Sequence, residues 1–165
     1  MPALTTGALA PEFTLPTTHG SEFSLEDALQ RGSLVAVFFK VSCPVCQYTL
    51  PYLERLYHAY KNQGVTLVGI SQNDRKDTLA FMKEYGITFP VLLDDTGKYP
   101  VSNAYGLTNV PTLFWIASDR EIEISSVGWS RKDIEEINQR MADAAATRKA
   151  PVFQAGEQVA DFRAG

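Results

Sequence analysis

The stretch FFKVSCPVCQYTLPYLERL, residues 38–56, contains both cysteines of the chain, Cys43 and Cys46. They lie where an apolar run ends and a helical pattern begins. The run LVAVFFKV (34–41) is almost entirely apolar, β-branched and aromatic, which is typical of a strand buried on both faces. From Pro44 onward the apolar side chains recur at helical spacing. The pattern therefore predicts a strand that leads directly into a helix, with the two thiols at the junction.

Two thiols three positions apart can bind a metal, form a structural disulfide, attack a peroxide or exchange electrons with a disulfide. A structural zinc ion needs four ligands, and the chain offers only His19 and His58 as further nitrogen ligands, in different predicted elements. We therefore expect no metal. A structural disulfide across so short a loop would remove little entropy from the unfolded chain.

Electron exchange has a physical basis in this pattern. Proline is favoured at the first position of a helix, so Pro44 places the Cys43 sulfur at a helix N-terminus. Free amide groups and the positive end of the helix dipole favour a thiolate there. Cys46 is expected one turn further along, on the same side and more buried, where it can attack a mixed disulfide on Cys43.

The rest of the chain alternates predicted strands and helices. This order indicates a mixed sheet with helices on both faces, with parallel central strands and an antiparallel pair at one edge. Before the first long strand, a β-hairpin is predicted around the turn at residues 17–20, followed by a short helix at 25–30 capped by Ser24. The further predicted strands are 65–70, 91–93, 112–116 and 121–127. The helix that starts at Pro44 is predicted to end near Tyr60, with Gly64 as the stop signal, and a second helix is predicted from Asp74 to Tyr85. A short helix that ends at Tyr105 and a last helix that begins at Ser130 complete the pattern.

Length and composition fit one ordinary globular domain. The chain has 165 residues, of which 45% are apolar and 21% charged, and halves of this length would each be marginally stable. A net charge of −4 argues against nucleic acid and anionic membrane as partners. The N-terminus MPALTTGALAPEFTL does not resemble a signal peptide, so we expect a cytoplasmic protein, where a disulfide is usually transient and catalytic.

The predicted domain covers residues 1–147, and residues 148–165 are predicted to form a surface tail. Within the tail, GEQVADF (156–162) partly repeats GALAPEF (7–13). We interpret the repeat as chance or shared loop chemistry. The alternative is that the tail lies on the fold as a strand-like arm, anchored by Phe153 and Phe162.

Three features resemble the thioredoxin superfamily, and within it the redoxin branch of TlpA-like and peroxiredoxin-like (AhpC/TSA) proteins. The motif Cys43-Pro44-Val45-Cys46 follows a buried strand, and Pro51 lies where family members have a helix-kinking proline. The triplet Val110-Pro111-Thr112 resembles the loop whose proline is cis and faces the dithiol. Residues 71–94 resemble the redoxin insertion, so the match extends over roughly residues 7–145.

The resemblance implies an α/β thioredoxin-like fold with an N-terminal β-hairpin and a redoxin-type insertion. It implies a site with Cys43 and Cys46 as catalytic residues. Proline lacks an N–H, so a substrate chain would pair with the backbone of Val110 beside Pro111. No cofactor is expected. The implied partners carry disulfides, as proteins or small molecules, with a thioredoxin-type protein as a candidate electron donor.

The sequence departs from the family pattern at two positions. Ser42 replaces the usual tryptophan before the first cysteine, and Val37 stands where thioredoxins carry a buried aspartate that acts on the inner cysteine. A base for Cys46 must then come from elsewhere. Three residues are expected to tune the dithiol: Pro44 and Val45 between the cysteines, and Lys40. Lys40 either supports the thiolate electrostatically or is a charged side chain at the sheet edge with its stem on apolar surface.

Three functions remain open from the sequence. The leading hypothesis is a thiol–disulfide oxidoreductase that takes part in cell redox homeostasis. The second is a peroxidase with an antioxidant role. Peroxiredoxins carry a proline and a hydroxyl residue ahead of the reactive cysteine. At these positions the chain has Ala36 and Lys40 ahead of Cys43, and Phe39 and Cys43 ahead of Cys46, so neither cysteine matches. The third is a non-catalytic binding module that uses the groove at Pro111 and the tail.

Overall fold

The computed structural model describes residues 3–165 and contains a five-stranded mixed sheet with helices on both faces. The central strand is β3, and the strand order is β5-β4-β3-β6-β7. Two small two-stranded sheets, β1-β2 and β8-β9, flank it. The strands are β1 Thr14–Pro16, β2 Glu22–Ser24, β3 Ser33–Phe39, β4 Val65–Ser71, β5 Val91–Leu93, β6 Thr112–Ile116, β7 Ile122–Val127, β8 Trp129–Ser130 and β9 Phe162–Arg163. The helices are α1 Leu25–Leu29, α2 Pro44–Tyr60, α3 Arg75–Tyr85, α4 Pro100–Ala104 and α5 Arg131–Ala144.

The sheet is parallel on one side and antiparallel on the other. Strands β3, β4 and β5 are parallel to one another, whereas β6 runs antiparallel to both β3 and β7. The expected α/β thioredoxin-like architecture, with its N-terminal hairpin β1-β2, is therefore confirmed. This arrangement puts the end of β3, which leads to the dithiol, beside the start of β6.

Both faces of β3 are buried, as its apolar run predicts. Side chains of a strand point alternately to opposite faces, and those of β3 divide between two hydrophobic clusters. Val35, Val37 and Phe39 pack with α2, α3 and α5. Leu34, Ala36 and Phe38 pack with the hairpin, α1 and α4. The central strand is thereby held rigidly, and with it the position of the chain that follows.

Polar side chains begin three of the helices where the sequence predicts them. The hydroxyl of Ser24 accepts a hydrogen bond from the Asp27 amide, the carboxylate of Asp74 from the Asp77 amide, and the hydroxyl of Ser130 from the Asp133 amide. Each bond satisfies an amide that has no partner within the helix.

The predicted end of β3 and the predicted stop signal of α2 are wrong. Strand β3 ends at Phe39 rather than at residue 41, because the Val41 amide donates to the side chain of Asn73 at 3.0 Å instead of continuing the strand. Helix α2 ends at Tyr60, as predicted, but its C-cap is Lys61, which adopts a left-handed conformation (φ 51°), so Gly64 is not the residue that stops the helix.

Residues 148–165 run over the surface and return to the sheet. Val152 is buried in the main core, and Phe153 packs against the rings of Tyr52 and Trp129. Residues 162–163 form β9, which pairs with β8. The strand-like arm is thus present and Phe153 anchors it. The prediction that Phe162 is a second anchor is wrong, since its side chain is 63% exposed.

None of the helices within residues 3–165 is long and apolar enough to cross a lipid bilayer.

Candidate active site

The first thiol of the pair lies at the N-terminus of α2. Cys43 is the N-cap residue, with extended backbone, and Pro44 occupies the first turn. The sulfur of Cys43 accepts a hydrogen bond from the Cys46 amide at 3.1 Å. A sulfur in this position receives both an N–H dipole and the positive end of the helix dipole, which stabilise negative charge on it. Because Cys43 is partly exposed, this sulfur can also meet a substrate.

The second thiol is closed off from solvent. Cys46 is fully buried within the main hydrophobic cluster. Burial raises the pKa of the Cys46 thiol far above its ordinary value, and its hydrogen bond with Cys43 acts in the same direction. Cys46 is therefore a neutral thiol at physiological pH. The two sulfurs are not bonded to each other in the structure, and one of them is accessible while the other is protected.

The turn between β3 and α2 is fixed by side chains from outside it. The Val41 amide donates to the Asn73 side chain, and the Val41 carbonyl accepts a hydrogen bond from the Gln47 side chain at 2.9 Å. The amide of Cys43 donates to the carbonyl of Lys40 at 3.3 Å. These bonds hold the backbone on both sides of Ser42, which itself is exposed. The sequence did not indicate a role for Asn73 or Gln47, because their hydrogen bonds to Val41 form only once the chain has folded.

The bend before β6 faces the dithiol. The peptide bond between Val110 and Pro111 is cis, as the resemblance implies. The carbonyl oxygen of Val110 lies 3.5 Å from the Cys43 sulfur. The Thr112 hydroxyl donates to the Asn109 carbonyl at 2.7 Å and so braces the bend. Within the described residues the N–H of Val110 makes no hydrogen bond.

Around these residues the surface forms a cleft of about 400 Å³. Four of the residues that the sequence singled out line it, namely Lys40, Cys43, Pro44 and Val110. The other lining residues come from loops that carried no sequence signal: Gln72, Leu107, Thr108, Asn109 and Gly165. The cleft thus joins the dithiol, the bend and the last described residue of the tail.

Gln72 is the polar side chain that the sequence analysis missed in this cleft. It follows β4, and its side-chain amide donates to the hydroxyl of Ser102 at 2.9 Å. Ser102 in turn donates to the buried carboxylate of Asp94 at 2.7 Å. These hydrogen bonds from the core fix the orientation of Gln72, so a positioned amide lines the same cleft as Cys43.

The AhpC/TSA family model matches residues 6–125 of this chain. The chain belongs to the AhpC/TSA family. It is 32% identical over 135 residues to the thiol-disulfide oxidoreductase ResA of Geobacillus kaustophilus, with 81% of this chain and 76% of the relative covered.

Solved structures show the same fold. A Chlorobium tepidum protein assigned as the thiol:disulfide interchange protein DsbE has a TM-score of 0.73 and 26% identity, over 86% of this chain and 99% of its own. The thioredoxin domain of a thiol-disulfide oxidoreductase from Bacteroides vulgatus has a TM-score of 0.73 at 22% identity, over 83% of this chain and 97% of its own. With the adjacent thiols, the similarities to ResA and to the Chlorobium tepidum protein confirm the prediction of a thiol–disulfide oxidoreductase.

In this member of the AhpC/TSA family, position 37 carries no carboxylate. Val37 is fully buried in the cluster that also contains Cys46. Lys40 is exposed at the cleft rather than on the strand, because β3 ends one residue earlier. The positive charge of Lys40 lowers the pKa of the Cys46 thiol, but burial raises that pKa and has the larger effect. Burial thus keeps the Cys46 thiol protonated, and Val37 offers no group that could accept its proton.

The two histidines lie away from the dithiol of this AhpC/TSA protein. His19 is in the exposed hairpin turn, and His58 is an exposed residue of α2 whose Nε2 lies 2.7 Å from Glu54. Within residues 3–165 there is no cluster of three or more His, Cys, Asp or Glu side chains arranged to hold a metal ion.

Proposed function

We propose that Cys43 is the attacking sulfur and Cys46 the resolving sulfur of a dithiol that reduces disulfides. The observation that carries this assignment is the asymmetry of the pair. The Cys43 sulfur is accessible and receives the Cys46 amide at 3.1 Å, whereas Cys46 is fully buried with a raised pKa. The accessible sulfur can reach a substrate, and the buried neutral thiol is protected from outside reagents.

The reaction proceeds in two exchange steps. The Cys43 thiolate attacks one sulfur of the substrate disulfide, the substrate S–S bond breaks, and the other substrate sulfur leaves as a thiolate that takes up a proton. Cys46 then attacks the Cys43 sulfur of the mixed disulfide, the bond between Cys43 and the substrate sulfur breaks, and the Cys46 proton passes to the departing substrate sulfur. The second substrate thiol leaves, and a Cys43–Cys46 disulfide remains. Two electrons have passed from the dithiol to the substrate, and the reverse sequence oxidises a substrate dithiol.

The bend at Val110–Pro111 is proposed to hold the substrate. The Val110 carbonyl is 3.5 Å from the attacking sulfur, and its amide is unpaired within the described chain. An extended polypeptide that pairs with this backbone would bring its disulfide to Cys43. We propose disulfide-containing proteins and small disulfides as substrates, and a thioredoxin-type dithiol protein as the electron donor that restores the reduced pair.

Pro44 and Val45 are proposed to tune the pair, since they fix the length and the rigidity of the ring that the disulfide closes. Pro44 lies at the cleft, and the Val45 carbonyl accepts a hydrogen bond from the Thr49 hydroxyl at 2.7 Å. Lys40 is proposed to support the Cys43 thiolate through its charge. The cytoplasmic location and an antioxidant role remain predictions from the sequence.

Equilibration with glutathione buffers tests the function. We expect the wild-type protein to exchange between a dithiol and an intramolecular disulfide as the ratio of reduced to oxidised glutathione is varied, with the fractions read by thiol alkylation and mass. A pair that never forms a reversible disulfide would refute the proposal. Consumption of hydrogen peroxide by the reduced protein, lost in Cys43→Ser, would instead favour the peroxidase hypothesis.

A further inference from the structure

The end of the described chain lies against the bend that is proposed to hold substrate. A β-carbon placed on Gly165 would stand 2.2 Å from the carbonyl oxygen of Val110 and 3.4 Å from the ring of Pro111. The side chain of Asn109 also donates to the Gly165 carbonyl at 3.3 Å. The backbone of Gly165 therefore packs directly on the surface where a substrate chain would pair, and it lines the same cleft as Cys43.

Residues 159–165, here called the strap, reach this position through backbone pairing. Strand β9 pairs with β8 in an antiparallel arrangement. The Arg131 amide donates to the carbonyl of Asp161 at 2.9 Å, and the indole of Trp129 donates to the carbonyl of Ala160 at 2.6 Å. The path of the strap is therefore set by backbone pairing and, at its start, by Val159 and Ala160, which pack against the main hydrophobic cluster.

A glycine under the strap makes the close approach possible. A β-carbon on Gly128 would stand 2.5 Å from the Arg163 carbonyl oxygen and 3.2 Å from the Gly165 nitrogen. Contacts closer than about 3 Å do not occur between such atoms without displacement of the backbone. The strap can lie along the groove only because position 128 has no side chain.

Beyond Ala160 the strap buries little side-chain surface. The Arg163 guanidinium stacks over the ring of Tyr48 at 4.9 Å, and the Tyr48 hydroxyl accepts a hydrogen bond from the Ala160 amide at 3.1 Å. Residues 161–165 are all exposed, and Phe162 is 63% exposed. A segment with exposed backbone bonds and little buried apolar surface opens at low cost in free energy. It can therefore exchange with a competing chain.

We propose that the strap is a specificity gate over the dithiol. In its docked position it covers the Val110 backbone, so that a polypeptide must displace it before it can pair there. A small disulfide needs only the exposed Cys43 sulfur and the cleft, both of which stay open beneath the docked strap. The gate thus slows reduction of protein disulfides and leaves small disulfides unaffected. The inference rests on the proposed function, because it assumes that Cys43 reduces both classes.

Two variants release the strap by different routes. Gly128→Ala places a methyl group where the Arg163 carbonyl lies. Its matched control is Gly156→Ala, since both glycines have φ of +80° and a β-carbon on Gly156 meets nothing within 4 Å. The control therefore introduces the same backbone strain without displacing the strap. Deletion of residues 162–165 removes β9 and Gly165 and keeps the hydrogen bonds at Ala160 and Asp161.

The test compares kcat/KM for reduction of insulin disulfides and of hydroxyethyl disulfide by each protein. We expect Gly128→Ala and the deletion to raise the rate on insulin by about fivefold or more, and to leave hydroxyethyl disulfide within about twofold of wild type. Gly156→Ala should match wild type on both. Unchanged or slower insulin reduction in both release variants, or equal changes on the two substrates, would overturn the gate. Loss of hydroxyethyl disulfide reduction by wild type would count against the proposed function instead.

Discussion

The amide nitrogen of Cys46 lies 3.1 Å from the sulfur of Cys43, although the two sulfurs have opposite environments. One helical turn separates an exposed sulfur from a fully buried one. The backbone of the resolving residue thus stabilises negative charge on the attacking sulfur, while its side chain stays neutral. The division of roles follows from a single turn of α2, which is itself positioned by the buried strand β3.

The two thiols should differ in their reaction with iodoacetamide. At pH 7 we expect Cys43 to be alkylated faster than Cys46 by about tenfold or more, because alkylation requires an accessible thiolate. In Cys43→Ser, the remaining Cys46 should stay slow even near pH 9, since burial keeps its pKa above that range. Peptide mapping by mass spectrometry measures both rates. Equal labelling of the two cysteines in the folded wild type would show that the assignment of roles is wrong.

Removing the charge of Lys40 should slow the attack on anionic disulfides. We expect Lys40→Gln to lower the rate with oxidised glutathione by about two- to fivefold at low salt and to have a smaller effect at high salt, because exposed charges are screened. Lys83→Gln, at an exposed position in the last turn of α3, is the matched control. A rate that is independent of Lys40 at low salt would leave this residue as a surface lysine.

An ion pair attaches the tail to α2, and its contribution should depend on pH. Hydrogen bonds from Arg55, at 2.8 and 2.9 Å, lower the pKa of Glu157 from 4.5 to about 2. A lowered pKa stabilises the folded state above pH 4.5, and this stabilisation is lost as the pH falls toward 2. Since both side chains are partly exposed, the effect should be small.

The measurement for this pair is the thermal midpoint of Glu157→Gln relative to wild type. We expect the variant to melt slightly lower at pH 7 and the difference to shrink between pH 4.5 and about 2. Glu136→Gln, on the exposed face of α5, should show no such trend. A difference that grows on acidification would contradict the sign of the linkage.

The core that supports α2 should be sensitive to truncation. Leu53 is fully buried in the main cluster, and Leu53→Ala should lower the free energy of unfolding by about 2–5 kcal/mol through lost apolar contact and a cavity. Leu9→Ala, at a side chain that is 64% exposed, should change it by less than about 0.5 kcal/mol. Urea unfolding followed by circular dichroism measures both. Similar losses in the two variants would contradict the packing described here.

Much of the fold was predictable because local sequence patterns determine many of its strands and helix starts. The apolar run of β3 and the capping residues Ser24, Asp74 and Ser130 mark their elements without reference to the rest of the chain. The end of β3 was not predictable from the run itself. It is set by Asn73, which binds the Val41 amide from 32 positions away.

The residues of the candidate site likewise divide into those that the sequence could identify and those that it could not. Cys43, Cys46 and Pro111 could be named from the sequence because each lies in a short motif of distinctive residue types. Gln72 and Gly165 could not, since they come from segments with no periodicity and reach the cleft only through the sheet order and the path of the tail. The exposure of Phe162 also went against expectation, because the strap is held by backbone pairing rather than by an aromatic anchor.

The most direct test of the account is the fate of a mixed disulfide on each single-cysteine variant. Cys46→Ser and Cys43→Ser, fully reduced, are mixed with oxidised glutathione, and the adducts are followed by intact mass. We expect Cys46→Ser to accumulate one stable glutathione on Cys43 rapidly, whereas Cys43→Ser stays largely unmodified because its thiol is buried and protonated. Rapid modification of Cys43→Ser, or an unreactive Cys46→Ser, would contradict the assignment of Cys43 as the attacking sulfur.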